Sequence, residues 1–292
     1  MRKVLVIGGT RFFGKKLVKR LIRSGVDVTV LTRGQAPDEF GDAVRRLTVD
    51  RQDEDALHRA LGNETYDVVY DNICYSAEQA EAAVRLFEGR AGRYIVTSSR
   101  SVYPFGGPAK REEEVDPYSY PLPDEYSKDT DYAEGKRLVE AVIFQKAPFP
   151  AAAVRFPVVL GNDDYTRRLL LHIELVQQGL PIGMPKPHAP VSFISSDEAA
   201  DFLFWLGSSK LTGPVNACSK GVISPGGIVA LIEEAVNRKA SIVSLEDVPQ
   251  EQHSPYGVPD DWHMDTNKAE EAGFAFGPLE AWLPALIREL AR

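Results

Sequence analysis

Short apolar runs alternate along this chain with stretches whose apolar residues return every three or four positions. The first run, residues 4–7, is β-branched or leucine throughout and too short for a helix, the pattern of a strand buried on both faces of a parallel sheet. Gly8 and Gly9 end it, and from there Phe13, Leu17, Val18, Leu21 and Ile22 recur at helical spacing. Further strands are predicted at 26–32, 44–50, 66–73, 92–99 and 151–159. Helices are predicted between most of them, notably at 77–87 and 127–145. This alternation predicts an α/β fold, a doubly wound parallel sheet with helices on both faces. Ligands of such sheets bind beyond the carboxyl ends of the strands, where the strand order reverses.

Residues 101–126 break the rhythm with proline, glycine and charge, and predict either a loop packed over the site or a mobile lid. Beyond Gly161 the pattern loosens. Helices are predicted at 166–178, after Ser196, at 226–237 and at 266–272, with one more strand in "GPVNAC". The expected organisation is a dinucleotide-binding Rossmann domain of residues 1–160 plus about 190–217. A smaller, interleaved substrate-binding subdomain takes about 161–189 and 218–292.

Composition narrows the function classes. A net charge of −8 over 292 residues argues against sequence-independent binding to nucleic acid or an anionic membrane, which needs basic surface. Cys74 and Cys218 make neither a metal-ligand spacing nor a disulfide framework. His58, His172, His188, His253 and His263 are scattered and read as surface or packing residues. With no signal-peptide pattern ahead of the first strand and no membrane-length apolar run, a cytoplasmic protein is expected.

Four constellations carry chemistry. The loop Gly8-Gly9-Thr10-Arg11-Phe12-Phe13-Gly14 lies between a strand and a helix, so free amides and the helix dipole point at the gap and favour an anion. The second strand ends in Thr32-Arg33, where an NAD-preferring site places a carboxylate for the adenosine ribose. A guanidinium there grips a 2′-phosphate instead. Tyr132 and Lys136, four apart on a predicted helix, share a face, and the ammonium is expected to lower the phenol pKa. Thr97-Ser98-Ser99 end a central strand with hydroxyls able to orient a substrate oxygen.

Taken together these motifs resemble the extended short-chain dehydrogenase/reductase superfamily, in its NAD(P)-dependent epimerase/dehydratase branch, over nearly the whole chain. "GGTRFFG" resembles the family's G-x-x-G-x-x-G, "TSSRSVY" its S-S-x-S-V-Y and "YAEGKRLVE" its Y-x-x-x-K helix. "VRFPVVLG" and "VSFISSDEAADFL" are similar to later segments of the family. The resemblance implies Tyr132 as general acid/base, Lys136 at the nicotinamide ribose and Ser99 orienting the substrate, with Ser98 as the fallback. It implies a cofactor site of Gly8, Thr10, Arg11, Phe12, Phe13, Gly14, Arg33, Asp50, Arg51, Asn72 and Ser98, with Asp50 toward the adenine. Arg100-Ser101 stand where the family's dehydratases carry Asp-Glu, which disfavours sugar-nucleotide 4,6-dehydration.

Arg11 lies three residues after Gly8, an offset at which related NADP-using reductases often carry a basic residue. With Arg33 it predicts NADP(H) over NAD(H). The expected enzyme is an oxidoreductase or epimerase acting on a hydroxyl or keto group of a sugar or sugar nucleotide. Arg100, Arg155, Tyr165 and Arg168 are candidate substrate contacts, and a homodimer through the helices near 77–88 and 127–145 is expected. The alternative is a non-catalytic NAD(P)-sensing or RNA-binding relative, since "GGTRFFG" also resembles the loop of the chloroplast stem-loop RNA-binding branch.

Overall fold

Residues 1–127 and 129–292 are described by a computed structural model. Its first half runs β1 (Lys3–Ile7), α1 (Phe12–Arg23), β2 (Asp27–Thr32), β3 (Arg45–Thr48), α2 (Glu54–Leu61), β4 (Val68–Asp71), α3 (Ala77–Phe87) and β5 (Tyr94–Ser99). There follow α4 (Tyr132–Lys146), β6 (Ala151–Phe156), β7 (Val158–Leu160), α5 (Arg168–Gln178), β8 (Ile182–Gly183) and β9 (Phe193–Ser195). The chain closes with α6 (Ser196–Ser208), β10 (Gly213–Asn216), α7 (Pro225–Val236), β11 (Ile242–Val243), α8 (Asn267–Glu271) and α9 (Leu279–Leu290).

Seven strands form one parallel sheet in the order β10-β6-β5-β4-β1-β2-β3. This is the doubly wound α/β fold, and its order reverses between the adjacent strands β1 and β4. Successive side chains of a strand face opposite sides, which divides β1 between two cores. Val4 and Val6 pack with Leu17, Val18 and Leu21 of α1 and Phe202, Leu203 and Leu206 of α6. Leu5 and Ile7 pack with α2, α3 and α4 through Leu57, Ala80, Val139 and Val142. A third core, built on Ile173, Val176, Phe193, Ile228, Ile232, Leu283 and Ile287, joins α5, α7 and α9.

Two expectations need correction, and one helix was not expected. The strand predicted at 151–159 is two strands: Pro157 has no N–H to give a ladder, so β6 stays in the main sheet while β7 pairs with β9. The helix predicted from 127 begins at Tyr132, where the Asp131 carboxylate accepts from Glu134 N at 2.8 Å and caps it. Part of the lost turn, residue 128, lies outside the described residues. Helix α9, which the expectations do not include, carries Pro284 in its interior.

The irregular stretch 101–126 is pinned. Glu112 Oε1 accepts from Asn216 N at 2.7 Å, Lys110 O accepts from Asn216 Nδ2 at 2.9 Å, and Lys110 N donates to His263 O at 2.8 Å. It therefore packs between the carboxyl end of the sheet and the C-terminal segment rather than standing free.

Candidate active site

A cleft of about 500 Å³ opens at the point where the strand order reverses, lined by Gly8, Thr10, Arg11, Phe12, Phe13 and Gly14 at its base. Helix α1 enters it uncapped: no side chain accepts from its first turn, no acid lies there, and its first internal bond is Lys15 N to Arg11 O. The amides of that turn are therefore left for a ligand. By contrast, α2, α3, α4, α6 and α7 are capped by Asp53, Ser76, Asp131, Ser195 and Ser224. Gly8 has φ +77°, and a Cβ on Gly14 would run into Gly8 O, so glycine is needed for the helix to approach the strand this closely. An uncapped helix facing a cleft over such a turn suits a pyrophosphate.

The far end of the cleft is formed by the tips of β2 and β3. Thr32, Arg33, Gln35 and Ala36 line one side, and Asp50 and Arg51 the other. Arg33 is exposed, while the Arg51 guanidinium forms a pair with buried Asp71, Nη1 to Oδ1 at 3.0 Å and Nη2 to Oδ2 at 2.9 Å. Burial works against the Arg51 charge, but Asp71 more than offsets it and holds the guanidinium charged. Asp71 also accepts from Tyr94 Oη at 2.7 Å. Asn72 lines the cleft too, accepting from Thr97 Oγ1 at 2.9 Å and facing Gly8 O through Nδ2 at 3.4 Å.

Tyr132, the first residue of α4, stands at the rim, its ring 6.4 Å from that of Tyr75, which lines the cleft. Lys136, one turn on and 1 % exposed, donates from Nζ to Cys74 O at 2.7 Å and Thr97 O at 2.8 Å. Gly135 makes room for this, because a Cβ there would lie 2.7 Å from Tyr75 O. Burial pushes the Lys136 ammonium down to about 8. The expected lowering of the phenol pKa is not found: burial raises Tyr132, with Ser99 and Arg168 pulling the other way. The reason is that Lys136 is turned toward two carbonyls and lies 5.8 Å from the Tyr132 ring centroid.

Ser99 and Ser98, as neighbours on a strand, face opposite ways. Ser99 lies beside Tyr132 and accepts from Ser101 N at 3.1 Å. Ser98, expected in the cofactor site, instead donates to Glu140 inside the protein. Arg155, expected at the substrate, is also internal: it is 0 % exposed, with Nη2 2.6 Å from Glu140 Oε2 and Nη1 donating to Tyr103 Oη and Glu112 O. It contributes to the fold rather than to recognition. Arg100 is buried against Trp262, Arg168 opens α5, and Tyr165 reaches across the cleft to Arg11, whose guanidinium sits 5.6 Å from the ring centroid. Tyr75 was missed as a candidate, although it covers Lys136 Nζ at 4.5 Å; its only sequence signal is its position just past the tip of β4 in "DNICY".

Residues 4–215 match the model of the NAD dependent epimerase/dehydratase family. The chain belongs to that family. Among curated relatives it is 28% identical over 226 residues to the chloroplast stem-loop binding protein of 41 kDa b of Arabidopsis thaliana, covering 72% of this chain and 56% of that protein. It is 31% identical over 127 residues to 2′-dehydrokanamycin reductase of Streptomyces kanamyceticus, covering 44% and 35%. The matched segments thus span about half the length of the first relative and about a third of the second. Among solved structures, UDP-glucuronic acid 4-epimerase of Bacillus cereus, in complex with UDP-glucuronic acid and NAD, superposes with TM-score 0.75 at 18% identity, covering 99% of this chain and 98% of that one. UDP-glucose 4-epimerase of Thermus thermophilus, in complex with NAD, gives TM-score 0.72 at 18% identity, covering 99% and 97%. At this identity the family's solved members are shared fold. Among the described residues no helix is long and apolar enough to cross a membrane.

Proposed function

We propose that this chain exchanges hydride between a nicotinamide dinucleotide and a hydroxyl or keto carbon of a sugar or sugar nucleotide, and favours NADP(H) over NAD(H). The observation that carries the reading is a cleft whose base is the uncapped start of α1 and whose lining residue Tyr75 meets both the Tyr132 ring and Lys136 Nζ. Residues Gly8, Thr10, Arg11, Phe12, Phe13, Gly14, Arg33, Asp50, Arg51 and Asn72 would hold the dinucleotide, with Tyr132 and Lys136 at its nicotinamide end. When bound, that ring supplies or accepts the hydride.

Tyr132 Oη gives or takes the proton at the substrate oxygen, and Ser99 Oγ orients that oxygen. Lys136 has three N–H donors and two are used, so one is left for a ribose hydroxyl. The C-terminal part, about 161–189 and 218–292, supplies the substrate side of the cleft. The NADP(H) preference rests on Arg11 and Arg33, which line the cleft with no acid at the end of β2. Similarity to 2′-dehydrokanamycin reductase supports a reduction, and the fold shared with epimerases solved with NAD and with UDP-glucuronic acid supports a sugar-nucleotide substrate.

In Tyr132→Phe, turnover is expected to fall by about 10²-fold or more with the cofactor Kd unchanged. Unchanged turnover would remove the phenol from the chemistry. In Arg33→Ala, an NADPH-over-NADH preference of at least tenfold, about 1.4 kcal/mol, is expected to vanish in calorimetric titration. Equal binding of both cofactors by the unaltered protein would refute the preference. A second reading, stem-loop RNA binding without turnover, is favoured by the 28% identical Arabidopsis relative. Saturable binding of a stem-loop RNA, together with no hydride transfer to any keto-sugar, would establish it instead.

A further inference from the structure

Asp71 ends β4 and is fully buried, and both of its carboxylate oxygens are engaged. Oδ1 accepts from Arg51 Nη1 at 3.0 Å and from Ile73 N at 3.1 Å. Oδ2 lies 2.9 Å from Arg51 Nη2 and accepts from Tyr94 Oη at 2.7 Å. Arg51 comes from the turn beyond β3, and its Nη2 also faces Gln79 O, in the first turn of α3, at 3.4 Å. A planar guanidinium bound through two N–H groups has little freedom to turn. It therefore grips the loop of residues 72–76 at both ends, at Asp71 before it and at Gln79 after it.

That loop lies between the glycine turn and α4. Gly8 packs so closely on it that a Cβ there would lie 2.7 Å from Ile73 Cγ2. Cys74 O is one of the two carbonyls that accept from Lys136 Nζ, the other being Thr97 O on β5. Tyr75 covers the same ammonium at 4.5 Å, and its amide donates to Gln79 Oε1 at 2.8 Å. One of the two hydrogen bonds of Lys136 and its nearer aromatic cover thus come from the segment that Arg51 and Asp71 hold. A buried ion pair adds little stability over an apolar pair of similar size, and what it offers here is a fixed course for the loop.

We propose that Arg51 is a positioning residue for Lys136: its two-pronged grip on Asp71 sets the 72–76 loop, and the loop sets where Lys136 Nζ points. The inference rests on the hydride-transfer reading only in counting Lys136 among the groups of the reaction. Arg51 lines the cleft, as do Asn72, Ile73, Tyr75 and Gln79, so a dinucleotide that fills the cleft touches the guanidinium and the loop it holds. Occupancy of the far end is in this way felt at the lysine.

The test follows Lys136 itself, by NMR titration of protein carrying [ε-13C]lysine, with its signal identified by its loss in Lys136→Met. The ionisable groups around this ammonium are Cys74, Asp71, Glu140, Arg51, Tyr75 and Tyr132, and Arg51→Lys leaves the charge of each unchanged while removing the fork. The loosened loop admits water to the ammonium, so its titration in Arg51→Lys is expected to rise from near 8 by about one pH unit or more. Asp71→Asn keeps the test open if Arg51→Lys folds poorly. Losing the Asp71 charge would by itself lower the lysine, so a rise there marks the loosened loop. A merely structural ion pair would lower Tm in these variants and leave Lys136 titrating near 8 in Arg51→Lys. That result, or a titration in Asp71→Asn that falls or stays in place, overturns the proposal. The alkaline limb of kcat/KM should move with the NMR titration. A limb that stays behind, or a protein that transfers no hydride at all, counts against the hydride-transfer reading and leaves the grip of Arg51 standing.

Discussion

Lys136 holds its charge where burial opposes it, supported by two carbonyl oxygens, by the faces of Tyr75 and Tyr132 and by the negative groups at Asp71 and Glu140. Its pKa of about 8 puts its loss of charge within the working range of an enzyme. As pH rises through 8 the cation disappears, so kcat/KM is expected to fall about tenfold per pH unit above that point. The Tyr132 phenol lies above its usual range and cannot produce that limb. A pH profile flat to pH 10 would contradict the assignment. Stability moves the other way: the unfolded lysine, near 10.5, binds the proton that the folded one has released, so between pH 8 and 10.5 this group makes the fold more stable as pH rises. Arg155 with Glu140 is the opposite case, a buried ion pair with every donor used. Removing one partner in Arg155→Met leaves a buried carboxylate alone, and urea denaturation should show a loss of about 3–5 kcal/mol.

At the scale of elements, α1 and α5 both begin without a capping side chain among the described residues, and they depend on their surroundings differently. Helix α1 needs Gly14 to lie against β1. Gly14→Ala pushes the helix off Gly8 O, and calorimetry should show cofactor affinity falling by at least about tenfold. Helix α5 is anchored from below by His172, fully buried, with Nδ1 2.8 Å from Arg168 O, Nε2 2.8 Å from Ser254 Oγ and its ring stacked 4.6 Å from Tyr256. Burial pushes this histidine down from 6.5 to about 4. An unfolded chain therefore binds a proton at His172 between pH 6.5 and 4 that the folded chain refuses. Stability is lost as pH falls through that window, by about 3 kcal/mol at about 1.4 kcal/mol per unit. Urea midpoints at pH 7 and pH 4.5 measure the loss, and His172→Gln should remove it.

For the whole molecule, the cleft joins the tips of β2, β3 and β4 to Tyr165 from the C-terminal part, so a ligand that fills it ties distant segments together. Cofactor at 100 times its Kd is expected to stabilise the fold by about 2.7 kcal/mol, seen as a rise in Tm that grows with cofactor concentration. The sheet, its parallel sense and the glycine loop were legible in the sequence because they follow from local periodicity: a β-branched run is a strand wherever it lies, and Gly8 and Gly14 mark a turn that admits no side chain. Pairing partners across the chain were not legible. Residues 98, 100 and 155 all stand in family-like motifs as polar candidates. Yet Ser98 turns to Glu140, Arg155 is closed within an ion pair, and only Arg100 keeps free donors. Which face of a strand meets a helix, and which carboxylate meets a cation 15 positions away, is decided by how layers pack. Sequence alone determined the α/β class and the residue types at the strand ends, because short-range sterics and hydrogen bonding set them. Tertiary structure alone decided which of those residues see the cleft and which charges remain unpaired, because burial and counter-ions are set by segments far apart in the chain.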